Sequence, residues 1–172
     1  STVIGNTIPI GMFITAKGGA GIARFMSPNS ILDTSPAGGT CGGTDLTPLG
    51  SDPESESSVV NAYYNGVLYQ MRYMVYKAFF WYQGEKDGQT STSLNQYPCE
   101  QAAMFADIRS YTEQPDLSFF VTELTGFDTG SDYPAMRIAQ RSISSLSNAY
   151  SIVSVDQGYK NDVHSPFKKQ LG

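Results

Sequence analysis

Ala78-Phe79-Phe80-Trp81-Tyr82 is a continuous apolar run that stops abruptly at Gln83-Gly84-Glu85-Lys86-Asp87-Gly88. Five apolar and aromatic residues bounded by a polar glycine turn read as a strand buried on both faces, ending in a loop. A strand of that kind belongs to a parallel sheet whose faces are covered by helices. The segments on either side fit such a sheet. Val60, Tyr63, Tyr64, Val67, Leu68 and Met71 recur every three or four residues, which predicts a helix from Val59 to about Met74. A second helix is expected from Tyr97 to Thr112, with Pro98 in its first turn. Leu117 to Thr122 reads as another strand, Pro134 to Leu146 as a third helix and Ser151 to Val155 as a final strand. Nearer the start, Ile8 to Thr15 reads as a strand entering the loop Lys17-Gly18-Gly19-Ala20-Gly21.

Strands alternating with helices predict an α/β protein, three layers deep, with a mainly parallel sheet and right-handed crossovers. In such sheets ligands bind beyond the carboxyl ends of the strands. Three polar clusters each follow a strand and so fall on one rim: Gly18-Gly19, Gln83-Gly84-Glu85 and Asp162-Val163-His164.

Composition sets the outer limits. The chain has 172 residues, 40% of them hydrophobic and 12% aromatic, enough for one packed domain rather than a disordered segment. The formal net charge of -5 argues against a nucleic-acid binder, which presents a basic face. No run approaches the ~20 apolar residues of a membrane-spanning helix. Two cysteines, Cys41 and Cys99, make no disulfide framework, although a single bridge is open to them; with one histidine in the chain no zinc site is expected. Ser1 to Gly5 has none of the features of a signal peptide. Neither end reads as a natural boundary, so one domain over residues 1–172, incomplete at both ends, is expected. From Asp33 to Ser58 the sequence turns to Gly, Ser, Thr, Pro and Asp, which reads as a long polar loop. Its Gly38 to Gly43 stretch lacks the Gly-Lys-Ser/Thr ending of a phosphate cradle.

His164 is the only side chain suited to exchange protons near neutral pH, and Asp162 two residues earlier can orient its ring. Gln83 can donate an amide N–H to a developing oxyanion, and the glycine pair can present a backbone N–H to the same charge. Glu85 can hold a substrate hydroxyl. Arg137, among apolar neighbours on the third helix, can clamp a ligand or pair with a surface acid.

Together these segments resemble one family. Ile8-Pro9-Ile10-Gly11 with Gly18-Gly19 and Ser27-Pro28, Tyr64-Asn65-Gly66-Val67-Leu68, Trp81-Tyr82-Gln83-Gly84-Glu85, Arg137-Ile138-Ala139-Gln140 and the closing Val155-Asp156 to Gly172 block occur in one order. That set is similar to the sialate O-acetylesterase-like carbohydrate esterases of the SGNH hydrolase superfamily. The resemblance implies a serine hydrolase that removes acetyl groups from sialic acid, xylan or related glycans, without metal or cofactor. It implies His164 as general base, Gly19 and Gln83 as oxyanion-hole donors, and Glu85 as a substrate-supporting residue; Arg137 stands in the family's Arg-x-Ala-Gln segment. It also implies secretion or a periplasmic location.

Two departures stand out. The family's Gly-x-Ser nucleophile block is missing; Gly50-Ser51-Asp52 and Gly130-Ser131-Asp132 have the wrong order. The nucleophile is therefore expected upstream of Ser1, with low activity and a tendency to associate in this chain alone. Asn161 occupies the usual triad-acid position, leaving Asp162 or a backbone carbonyl to orient His164, and Ser165 replaces the proline that usually follows. A glycan-binding module without catalysis is the alternative reading. Which acetylated sugar is bound, and the oligomeric state, are not legible at this level.

Overall fold

The computed structural model describes residues 11–27, 62–66, 68–127 and 132–159, together with Asp162, His164 and Pro166. The polar stretch 33–58, Cys41 and residues 1–10 lie outside the described residues. Cys99 is in a disulfide, and Cys41 is the only other cysteine of the chain.

Three parallel strands form the sheet in the order β1-β2-β3: β1 Ala78–Trp81, β2 Ser118–Thr122 and β3 Ala149–Ile152. Phe79 faces Phe119 across the first pair, and Phe119 faces Ala149 across the second. The helices are α1 Ala62–Gly66, α2 Ser91–Tyr111 and α3 Tyr133–Arg141. Crossovers through α2 and α3 join neighbouring strands in one direction, so right-handedness puts both helices on the same face. That face carries the core. Phe105 of α2 stacks on Phe119 with ring centroids 4.0 Å apart, and Phe79 meets both rings edge-on. Phe25 packs edge-on against Trp81 at 5.1 Å. On the opposite face Phe80, Phe120 and Tyr150 stack in a row, with Phe80 71% exposed. The arrangement is the α/β class expected, a parallel sheet with flanking helices that fits the three-layer fold; among the described residues the helices pack on one face.

Side chains tie the amino ends of the strands together. Gln114 exchanges two hydrogen bonds with the Tyr76 backbone, at 2.7 and 2.8 Å, joining the entries to β1 and β2. Arg109 donates to the Leu117 carbonyl at 2.9 Å and the Ser147 carbonyl at 2.6 Å, joining α2 to the entries of β2 and β3.

Several boundaries differ from expectation. Residues 11–15 of the first apolar run form no strand, and Met12, Phe13 and Ile14 are exposed. An apolar run becomes a strand only where another strand pairs with it. The 59–74 helix is two pieces, α1 and the 3-10 turn Leu68–Tyr73. Helix α2 begins six residues before Tyr97, because the Thr90 hydroxyl caps the Ser93 N–H at 3.2 Å. Pro98 therefore lies inside the helix and leaves one i→i−4 bond unmade. Ser91 to Gln96 are polar enough to hide that first stretch from a hydrophobic-period reading. Helix α3 stops at Arg141 and continues as the 3-10 turn Ser142–Ser145, and β3 starts two residues before Ser151.

Candidate active site

The carboxyl ends of the strands lead to one polar region. Beyond β1, Gln83 is buried and its amide donates to the Ala20 carbonyl at 2.9 Å and to Asp87 Oδ2 at 2.5 Å. Asp87 Oδ2 also accepts the Ile22 backbone N–H at 3.1 Å. The glycine loop at 18–21 is thus fastened to the end of β1. Gly19, at the tip of its turn, has φ +72°, a conformation that glycine adopts without cost. A Cβ there would meet nothing within 4 Å among the described residues.

The Gln83 carbonyl is a second junction. It accepts the Tyr97 hydroxyl at 3.0 Å and the Gln140 amide at 2.8 Å, while Gln140 Oε1 accepts the Leu124 N–H at 2.9 Å. The Tyr97 hydroxyl in turn receives Trp81 Nε1–H at 3.2 Å. Gln140 is fully buried and bridges the exits of β1 and β2 from beneath. Gly84 has φ +144°, and its missing Cβ leaves room for Gln140 and Met136.

Beyond β2, Glu123 is fully buried and accepts two hydrogen bonds from Arg141, at 2.7 and 2.8 Å, and one from Ser151 at 2.7 Å. These donors outweigh the burial and hold its pKa below the ordinary carboxylate value. The Ser154 hydroxyl donates to the Glu123 carbonyl at 2.5 Å, joining the exits of β2 and β3. Arg137 lies on α3, where its charge helps to lower the Glu123 pKa, and among the described residues one of its guanidinium nitrogens is buried without a hydrogen-bond partner.

Asp87 and Glu100 stand apart electrostatically. Burial pushes Asp87 up to about 6 despite its hydrogen bonds, and burial together with the Asp87 charge pushes Glu100 up to about 7. Past β3, Asp162 and His164 stand together. His164 Nδ1 is 3.5 Å from Asp162 Oδ1, and the same oxygen accepts the His164 backbone N–H at 2.7 Å. Both groups face solvent, the His164 side chain being 84% exposed.

Over residues 3–171 the sequence matches the model of a carbohydrate esterase family, the sialic acid-specific acetylesterases. The chain belongs to this family. Among solved structures it resembles a carbohydrate acetylesterase from Xanthomonas citri, with a TM-score of 0.72 and 22% identity over 90% of this chain and 32% of that one. A protein from Arabidopsis thaliana matches with a TM-score of 0.50 and 23% identity over 56% of this chain and 41% of that one. At these identities both likenesses speak to the fold alone, and the chain spans less than half of either protein. No curated protein matches the sequence.

Within the acetylesterase family frame, the residues singled out from the sequence fall into two groups. Gln83 and the Gly19 turn are joined through Ala20, Ile22 and Asp87. Asp162 and His164 form the other group, and their mutual contacts are the ones the described residues show. Glu85 is half-buried on the turn after Gln83, close enough to Tyr97 and Tyr133 for its charge to raise both of their pKa values. Both Gln83 amide hydrogens are engaged within the protein, so in this arrangement Gln83 sets the position of the glycine turn. Asp87, Tyr97, Glu123 and Gln140 were not singled out from the sequence. Gln140 closes the Arg-x-Ala-Gln segment and Asp87 ends the turn after Glu85, so position in a motif was the available signal.

Proposed function

We propose that the chain forms the core of a carbohydrate O-acetylesterase, a serine hydrolase that releases acetate from O-acetylated glycans such as sialic acid or xylan. The observation that carries this reading is the placement of the chain's only histidine. His164 stands beside the Asp162 carboxylate in the segment that follows β3; in this reading that segment comes to the rim where Gln83 fastens the Gly19 turn.

In the reaction a serine Oγ attacks the acetyl carbonyl carbon while His164 Nε2 takes its proton. The carbonyl oxygen becomes an oxyanion facing the Gly19 turn, with Gln83 holding or donating to that wall. The carbon–oxygen bond to the sugar breaks, and the His164 proton passes to the departing sugar hydroxyl. Water then attacks the acetyl-serine, giving up its proton to His164, and acetate leaves as the serine is reprotonated. Asp162 fixes the ring and stabilises its cationic form. Glu85 and Arg137 contact sugar hydroxyls or a substrate carboxylate. The serine lies on sequence preceding Ser1, which the order of the family's motifs implies, and residues 1–172 belong to one domain. The reaction needs no metal or cofactor. The substrate class fits a secreted or periplasmic protein, and among the described residues no helix is long and apolar enough to cross a membrane.

The high exposure of His164 and its 3.5 Å separation from the Asp162 oxygen favour the second reading, a glycan-binding module without turnover. One experiment separates the two. The full-length protein is treated with a fluorophosphonate, peptides are mapped by mass spectrometry, and acetate release is measured with and without His164→Ala. A single modified serine, with turnover lost in the variant, is expected. Glycan binding without acetate release or a serine adduct would establish the binding module instead.

A further inference from the structure

We propose that Asp87 is a positioning residue for the acyl-transfer site: its carboxylate clamps the Gly18-Gly19 turn against the end of β1. The proposal rests on the esterase reading and adds a residue to it. The bonds of the clamp join residues far apart in sequence: Ile22 lies 65 residues before Asp87, yet its N–H points at both carboxylate oxygens, at 3.1 and 3.4 Å. Gln83 completes the joint by donating to Asp87 and to Ala20. Gly21 shows how tight the fit is, since a Cβ there would sit 3.0 Å from Asp87 Oδ1. The clamp itself is anchored. Gly88 N–H donates to the Gly84 carbonyl at 2.9 Å, and the Gly88 carbonyl accepts the Asp132 N–H at 3.2 Å.

The choice of an acid here is informative. The carboxylate is buried, and among the described residues its hydrogen-bond partners are N–H groups rather than a cation. Burying a charge is costly, and a neutral amide would fill the same space without that cost. An anion draws both donors more strongly than a neutral oxygen does. That fixes the backbone of residues 19–22, where a displacement of about 1 Å costs roughly 100-fold in rate. Gln83 acts through the same joint, because its amide is oriented by the carboxylate it serves. The ionisable groups coupled to Asp87 are Lys86 beside it, which favours its charge, and Tyr97 and Glu100 on α2. Protonation of Asp87 weakens both acceptor bonds, so the clamp loosens as pH falls through the range near 6.

The test follows the Ile22 amide proton by NMR in the full-length protein from pH 4.5 to 8, with Asp87→Asn and Asp87→Ala alongside. In the native protein the proton is expected to shift with a midpoint near 6. Asp87→Asn keeps the shape and abolishes the titration. Acetate-release kinetics add a readout that simple loss of stability would not move. We expect kcat to fall roughly 100-fold in Asp87→Ala, with KM changed less than about threefold and partial recovery in Asp87→Asn. An Ile22 titration that persists unchanged in Asp87→Asn would overturn the clamp, as would native kcat in both variants. The NMR arm needs no substrate, so it decides on the clamp even if the protein hydrolyses no ester. If Asp87→Ala fails to fold, the Asp87→Asn titration and kinetics still give the answer.

Discussion

Replacing Gln140 with leucine removes the bridge between the exits of β1 and β2 while keeping nearly the same volume. Gln140 is fully buried, donating to the Gln83 carbonyl at 2.8 Å and accepting the Leu124 N–H at 2.9 Å. Two hydrogen bonds are lost at about 1 kcal/mol each. The consequences for the two partners differ. The Gln83 carbonyl keeps the Tyr97 hydroxyl, but Leu124 is buried and its N–H has no replacement, which adds about 1 to 2 kcal/mol. The expected destabilisation is about 3 to 4 kcal/mol, or roughly 6 to 15 °C in Tm for a chain of this size. Tyr97→Phe removes the other donor to the same carbonyl and leaves Trp81 Nε1–H unpaired. It costs about 2 kcal/mol alone. In the double variant the Gln83 carbonyl loses both donors, so the effects exceed their sum by about 1 kcal/mol. Urea unfolding of the four proteins, followed by tryptophan fluorescence and far-UV circular dichroism, measures the cycle. A Gln140→Leu cost below about 0.5 kcal/mol, or strict additivity with Tyr97→Phe, would refute the reasoning.

Stability should also depend on pH in a direction set by the buried acids. Asp87 and Glu100 have folded pKa values near 6 and 7, above their ordinary values of 3.8 and 4.5. Each therefore contributes stability that is fully present below the ordinary value and lost as pH rises through the folded one, a fall of a few kcal/mol between about pH 4 and 7. Glu123 acts the other way: its lowered pKa supplies stability above about 4.5 that disappears in stronger acid. Thermal melts from pH 3 to 8 should thus peak near pH 4 to 5, and a Tm rising steadily to pH 7 would contradict this assignment. Gly84→Ala forces a Cβ to within 3.1 Å of Gln140 Nε2 and 3.2 Å of Met136 Cγ at φ +144°, so a loss of about 1 to 3 kcal/mol is expected by the same urea assay. Arg141→Ala leaves the buried Glu123 carboxylate with Ser151 as its remaining side-chain donor, and a loss of about 1 to 3 kcal/mol should appear at pH 7 and shrink in acid strong enough to protonate Glu123.

How much of this was legible in the sequence depends on the distance between the cooperating residues. The runs Ala78 to Tyr82 and Leu117 to Thr122 contain β1 and β2 to within a residue at each end, because a buried strand writes its burial into consecutive residues. The run at Ile8 to Thr15 looked just as apolar, yet its described part forms no strand, since pairing is a property of the partner as well as the run. Helix α2 was read short by six residues because its first turns are polar and its start depends on the Thr90 cap. The pairing of Asp162 with His164 needed no tertiary knowledge, as the two are separated by one residue.

By itself, then, the sequence determined the α/β class, the parallel order of strands and helices, and the family. These follow from local periodicity and from motifs of adjacent residues. Tertiary structure alone decided what those residues hold. Ile22 meets Asp87 across 65 positions, and Gln140 meets Gln83 across 57. Hydrogen bonds over such separations leave no periodic trace in the chain. They exist because the folded sheet excludes water from the strand exits, and a polar group buried there gains most by finding a partner inside the protein.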